Sequence, residues 1–131
     1  MRIALIATPY PLEEAPSPPL GLTYAAAACE AAGATVRIFD FIVSKYSPEK
    51  LFKILDSFKP DVVGASSVTM NHHQAERIIK DAKRLRPGII TMMGGPHVSF
   101  ETQGTFKTCH ELAHLVKGER EQTLMELITS L

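Results

Sequence analysis

Along this chain, the pattern of hydrophobic and polar residues changes repeatedly between one typical of strands and one typical of helices. Short apolar runs, typical of strands buried on both faces, occupy residues 2–7, 61–66 and 88–93. Residues 35–39 alternate apolar and polar positions, as an edge strand does, and residues 113–117 form a fifth strand candidate. Stretches with helical spacing of apolar residues lie between the strands, at 20–32, 47–58, 71–85 and 120–131. Residues 99–111 are predicted as loop with a short helix.

Capping residues support the predicted helices. Ser47 stands where an N-cap is expected, with Pro48 at the first helical position, and Gly33 follows the helix at 20–32 as a left-handed cap. The spacing predicts these inward-facing residues: Leu51, Ile54, Leu55 and Phe58 on one helix, and Ala75, Ile78, Ile79, Ala82 and Leu85 on the next.

Strands that alternate with helices indicate right-handed crossovers and a parallel sheet covered on both sides. The pattern therefore predicts one α/β domain over residues 1–131, a three-layer fold with a five-stranded parallel sheet in the order 2-1-3-4-5. Ligands of such sheets bind outside the carboxyl ends of the strands. The loops at that edge are residues 8–19, 66–71, 94–97 and 117–120, and they differ in composition from their surroundings.

Composition narrows the class of protein. The chain has 131 residues, 45% of them hydrophobic, and a formal net charge of zero, which suits one globular domain and argues against a nucleic-acid partner. No apolar run approaches the roughly 20 residues that span a bilayer, so no membrane partner is expected. The two cysteines are far apart and form no CxxC pair. We therefore expect a reduced, cytoplasmic protein without a metal site.

The loop after the first strand excludes several common ligands of this fold. It reads ATPYPLEEAP, without the glycines that a dinucleotide site needs around the pyrophosphate and without a phosphate loop for a flavin mononucleotide. A phosphoacceptor receiver needs an aspartate at the end of the third strand. That strand ends in Ser66 and Ser67 instead.

Two loop sequences remain as candidate binding features. Residues 66–69 read SSVT, with hydroxyl groups at Ser66, Ser67 and Thr69, and Gly94 and Gly95 follow the fourth apolar run. Each has a simpler interpretation, because Ser67 or Thr69 can cap the next helix and a glycine pair can form a tight turn. Two adjacent glycines also indicate that something approaches the backbone closely.

Together with PPLGLTYAAAACEAAG, DVVGASSVT, GGPHVS and VKGEREQTL, these features resemble the cobalamin-binding domain at the N-terminus of cobalamin-dependent radical SAM enzymes. The resemblance covers essentially the whole chain and implies a Rossmann-like, flavodoxin-like fold. It implies that the benzimidazole tail of cobalamin lies beside the sheet, near Ser67, Thr69, Gly94 and Gly95. The bordering positions are Ser66, Val68, Pro96 and His97.

The resemblance also implies how cobalt is held. In related proteins of the methionine synthase type, a histidine in the loop after the first strand ligates cobalt, whereas all five histidines here lie beyond residue 71. Base-off binding without a histidine ligand is therefore expected. The implied floor of the corrin is formed by Pro19, Leu20, Gly21 and Leu22. Gly118 and Glu119 match the start of the family's Gly-Glu-Gly-Glu run, which departs from the family at Arg120.

By this resemblance the domain presents cobalamin to a C-terminal radical SAM domain of the same chain, for methyl transfer or oxidative cyclisation. It is expected to catalyse nothing by itself, since it has no CxxxCxxC motif. The 4Fe-4S cluster and S-adenosylmethionine are expected only in that catalytic domain. Two alternatives are a cofactor-free interaction module on the same scaffold and an unrelated binding domain for a small molecule or nucleotide sugar.

Overall fold

The computed structural model describes residues 1–8, 20–41, 45–66, 72–94, 109–116 and 120–131; for residues 20, 21, 72, 115 and 120–124 it describes the backbone alone. The elements in chain order are β1 (Arg2–Ala7), α1 (Leu20–Ala31), β2 (Thr35–Asp40), α2 (Pro48–Phe58), β3 (Val62–Ser66), α3 (His72–Leu85), β4 (Ile90–Gly94), β5 (His114–Val116) and α4 (Arg120–Ser130). Within these described residues no helix is long and apolar enough to cross a membrane.

All strand pairs are parallel. The strands β2, β1, β3 and β4 lie side by side in that order, and the three-residue β5 pairs with the outer side of β4. The predicted α/β class, the parallel sheet and the arrangement 2-1-3-4 are confirmed. In the register Ser66 pairs with Gly94, and Gly94 pairs with Val116, so these three strands end at the same level.

The sheet separates two hydrophobic cores. Strand β1 lies between β2 and β3, and its residues 3–7 are almost completely buried, as expected of a strand covered on both faces. On one face Leu51 and Leu55 of α2 pack with Ile78 and Ile79 of α3. On the other face α1 and α4 pack on alternate strand residues, among them Leu5 and Met92. The molecule therefore has three layers.

The predicted helix signals are present. The Ser47 hydroxyl accepts a hydrogen bond from the Lys50 amide at 3.2 Å, with Pro48 as the first residue of α2. Gly33 has φ of +95°, the left-handed conformation expected of a cap. Lys59 ends α2 in the same region, with φ of 54°, and its amide donates to the Leu55 carbonyl. The inward face predicted for α3 is buried apart from Leu85, which is half-buried.

The fourth strand differs from its predicted bounds. Residues 87 and 88 form a turn, and the first residue that pairs with β3 is Ile90, opposite Val62. At the other end Gly94 is a strand residue and not the first residue of the loop, because it still pairs with both neighbouring strands. Of the ambiguous segment 99–111, only residues 109–111 are described, as the start of a turn before β5.

Candidate functional site

An apolar cleft lies between α1 and the sheet, near the carboxyl ends of β3, β4 and β5. Its volume is about 30 Å³, enough for one or two water molecules. Its lining consists of Leu5, Leu22, Ala25, Gly64, Ala65, Ser66, Met92, Met93, Gly94 and Val116. The cleft lies at the sheet edge where parallel α/β folds bind ligands.

Two glycines form the floor of this cleft. Residues 62 and 92 belong to the core on the α1 face, and side chains two positions apart in a strand share a face, so Gly64 and Gly94 lie on that face as well. A Cβ atom built on Gly64 would lie 3.0 Å from Leu5 Cδ2 and 3.0 Å from Met92 Cε. The sheet therefore has no side chain of its own at two nearby positions below α1, and the side chains of Leu5 and Met92 fill the space above Gly64.

Small residues of α1 form the opposite wall. Ala25 and Ala28 are each 5% exposed, whereas Ala27 on the outer face is exposed. The alanine run thus lets the helix lie close to the sheet. Leu22, one turn before Ala25, closes the wall toward the carboxyl edge and is also buried.

Ser66 borders the cleft and also joins two strands. Its hydroxyl oxygen accepts a hydrogen bond from the Thr8 amide at 3.2 Å, and its hydroxyl group donates to the Ile6 carbonyl at 3.4 Å. A hydroxyl can donate once and accept twice, so one acceptor position remains for a ligand. The first role of Ser66 is to hold the carboxyl ends of β1 and β3 together.

None of the described residues that line the cleft has an ionisable side chain. Burial raises the pKa of the Cys29 thiol on α1 to about 11, and the neighbouring Glu30 adds to the increase. A thiol with that pKa is protonated at neutral pH and is a poor nucleophile. Among the described residues no group of three His, Cys, Asp or Glu side chains could hold a metal ion.

The structure brings three of the predicted site residues to this cleft: Ser66, Gly94 and Leu22. For Leu20 and Gly21 only the backbone is described, in the first turn of α1. The other predicted positions lie outside the described residues: Pro19, Ser67, Val68, Thr69, Gly95, Pro96, His97, Gly118 and Glu119.

Sequence reasoning missed several cleft residues, and Gly64 is the most informative of them. A glycine in the middle of a strand weakens it and often marks a close approach of a ligand or another backbone, so the signal was available in the sequence VVGAS. Leu5, Ala25, Met92 and Val116 gave no such signal, because buried apolar residues of this kind also fill ordinary cores.

Known proteins resemble the chain over nearly its whole length. It is 34% identical over 114 residues to the uncharacterised methyltransferase PH0819 of Pyrococcus horikoshii. That alignment covers 87% of this chain and 25% of the methyltransferase. It is 32% identical over 114 residues to the anaerobic magnesium-protoporphyrin IX monomethyl ester cyclase of Rubrivivax gelatinosus, covering 86% of this chain and 20% of the cyclase. The chain thus spans a quarter or less of the length of these relatives.

A solved structure shares the fold. The radical S-adenosylmethionine methyltransferase TsrM from Kitasatospora setae, solved with cobalamin and a [4Fe-4S] cluster bound, superposes with a TM-score of 0.83 at 21% identity, over 97% of this chain and 26% of that one. The sequence model of the B12 binding domain matches residues 14–128, which include α1, the Ser66 and Gly94 strand ends and most of α4. The chain with this glycine-floored cleft therefore belongs to the B12-binding domain family.

Proposed function

We propose that this domain binds cobalamin base-off, with the nucleotide tail in the cleft over Gly64 and Gly94, and presents the corrin at the carboxyl edge of the sheet. The observation that carries the proposal is the apolar cleft near the carboxyl edge of the sheet, with glycine at two strand positions of its floor. We also assign the three-residue β5 as the fifth strand of the flavodoxin-like order 2-1-3-4-5, with Val116 as the outer wall of the cleft.

The residues present fit a flat aromatic base in their chemistry. The walls are apolar, the floor consists of glycine, and Ser66 supplies one polar group at the rim. A two-ring base is several times larger than the cleft volume of about 30 Å³, so its entry requires lining side chains to move. Base stacking against apolar side chains and a glycine floor needs no charged partner, and the described lining residues carry no charge.

Each predicted site residue has a role in this proposal. Gly94 and Gly95 let the tail pass along the end of β4, with Ser67 and Thr69 beside it and Ser66, Val68, Pro96 and His97 at its border. Pro19, Leu20, Gly21 and Leu22 support the lower face of the corrin. Gly118 and Glu119 contact its edge. The loop of residues 9–19 contains no histidine, so this chain supplies no cobalt ligand there.

We further propose that the domain belongs to a longer radical SAM protein. Bound cobalamin supplies a cobalt centre for methyl transfer or for oxidative cyclisation, the two reactions that the names of the relatives suggest. A C-terminal domain with a 4Fe-4S cluster and S-adenosylmethionine would carry the radical chemistry, and the present domain would hold the corrin toward it. We place the protein in the cytoplasm, where its two free buried thiols stay reduced.

A titration with hydroxocobalamin tests the proposal. We expect binding, with a visible spectrum of the base-off form, and we expect Gly94→Leu to abolish it, because the new side chain would project from the α1 face of β4 into the cleft. Gly88→Leu is the matched control. Gly88 is exposed, a Cβ atom there would meet nothing within 4 Å, and the variant should bind like wild type.

Other outcomes favour the alternatives. If the folded wild-type chain leaves the cobalamin spectrum unchanged at the highest soluble concentration, the cofactor-free interaction module becomes the better interpretation. If both glycine variants bind like wild type, the tail does not occupy this cleft. Thermal unfolding of all three proteins shows whether Gly94→Leu has lost binding or has lost its fold.

A further inference from the structure

The side chain of Met92 lies across the glycine floor of the cleft. A Cβ atom built on Gly64 would lie 3.0 Å from Met92 Cε, 3.1 Å from Met92 Cγ and 3.0 Å from Leu5 Cδ2, so the thioether chain and Leu5 together cover the backbone of Gly64. Met92 is 3% exposed. The methionine therefore occupies the inner end of the space that the glycines leave open.

Of the two side chains that cover Gly64, Met92 has more freedom to move than Leu5, because leucine has two rotatable side-chain bonds and methionine has three. Gly64, Gly94 and Ala25 have no side chain that can rotate away, and the strand backbones are fixed by the pairing of β3 with β4 and of β4 with β5. Val116 is stiff because it branches at Cβ. Methionine is unbranched, with three rotatable bonds in its side chain, and changes shape at low cost.

We infer that Met92 is the gate of the cleft: its side chain must swing off Gly64 before the nucleotide tail can enter. This inference rests on the cobalamin binding proposed above and adds a residue that controls it. The observed affinity for a tailed corrinoid is then the intrinsic affinity multiplied by the fraction of molecules in which Met92 is displaced. A corrinoid without a tail does not need the gate to open.

The experiment compares two buried side chains on opposite faces of the sheet. Met92→Val shortens the side chain over Gly64, and Leu51→Val shortens a fully buried side chain of the α2–α3 core that does not line the cleft. Association rates and Kd are measured by stopped-flow absorbance with hydroxocobalamin, and with cobinamide, which has the corrin without the nucleotide tail. Thermal unfolding is recorded for each variant, and Met92→Leu serves as a milder change if Met92→Val fails to fold.

If the displaced state is ~10% populated, Met92→Val should bind hydroxocobalamin about tenfold more tightly, through a faster association rate. Cobinamide binding should not change, and Leu51→Val should bind both corrinoids like wild type. Binding by Met92→Val when wild type does not bind would be the extreme form of the same result.

Two results would overturn the inference in different ways. If wild type binds hydroxocobalamin and Met92→Val, Met92→Leu and Leu51→Val bind it at the same rate as wild type, the gate is refuted while the proposed function stands. If neither wild type nor any variant binds hydroxocobalamin, the proposed function fails and the gate fails with it. A gain for cobinamide equal to that for hydroxocobalamin would also refute a gate for the tail.

Discussion

Ser66 joins two strand ends and lies at the rim of the cleft. The resemblance implies that it borders the cofactor, and in the structure its hydroxyl group is bonded to the Thr8 amide and the Ile6 carbonyl. The bond to Thr8 continues the attachment of β3 to β1 beyond the last backbone pair, Ile6 with Ala65. Ser66 therefore fixes the position of the strand end that carries the SSVT sequence.

Replacing Ser66 by alanine should lower the free energy of unfolding by about 1 kcal/mol, because the Thr8 amide loses its side-chain partner at a buried position. Urea unfolding followed by circular dichroism measures the change. Ser130→Ala is the control, since the Ser130 hydroxyl bonds only locally to the Leu127 carbonyl at the exposed end of α4. Equal losses for the two variants would mean that Ser66 does not join the strands.

At the residue scale, the glycines of the cleft carry a sequence signal and its larger side chains do not. Gly94 was predicted from its place after an apolar run, and Gly64 could have been, since glycine in a strand is unusual. Met92 could not have been singled out. Its role depends on lying opposite Gly64 in the register of β3 and β4, which is a property of the packed sheet.

The position of β5 depends on a side chain of the neighbouring strand. It has three residues, and the turn before it is held to β4 by Thr91, which is fully buried. The Thr91 hydroxyl donates to the Glu111 carbonyl at 2.6 Å and accepts from the Ala113 amide at 3.0 Å. A buried threonine in β4 thus sets where β5 and its cleft residue Val116 begin.

Thr91→Val keeps the shape of the side chain and removes both hydrogen bonds. We expect a loss of about 1–3 kcal/mol in the free energy of unfolding, because the Glu111 carbonyl loses its hydroxyl donor in a buried site. Amide hydrogen exchange should become faster at residues 113–116. In β1 it should change only as much as the lower free energy of unfolding requires. Thr129→Val, on the exposed face of α4, is the matched control. Unchanged exchange at 113–116 would refute this role for Thr91.

Element types followed from the sequence, and element ends did not in every case. Periodicity identified β1 and α2 well, since β1 is apolar throughout and α2 has Ser47 and Pro48 at its start. It placed β4 two residues too early because Gly88 and Ile89 extend the apolar run, although pairing begins only at Ile90. Pairing depends on the neighbouring strand, which local sequence does not specify.

On the scale of the whole molecule, the two faces of the sheet are packed differently. The α2–α3 face is filled by large side chains, among them Phe41, Phe58 and Ile78, whereas the α1–α4 face contains small residues and the cleft. Binary patterning predicts that both faces are covered, but the cleft arises from β1, β3, β4, β5 and α1 together. No local stretch of sequence contains it.

Each face also holds one buried thiol, which allows alkaline unfolding to report on both. Cys29 belongs to the α1–α4 core and Cys109 to the α2–α3 core. Burial is the main cause that raises the pKa of each thiol from an ordinary value of 9.0 to about 11. The unfolded thiols ionise first as pH rises, so the folded state binds more protons than the unfolded state between these values. The linked stability is therefore complete below pH 9.0 and is lost as pH rises toward 11.

Urea unfolding across that pH range should show a falling free energy for wild type and a smaller fall for Cys29→Ala and for Cys109→Ala. The double variant should fall least. Part of the slope should remain in it, because burial and a hydrogen bond to Asp81 also raise the pKa of Tyr46. An identical slope in wild type and the double variant would contradict burial of the thiols. A change confined to one single variant would show that only one of the two faces is packed as described.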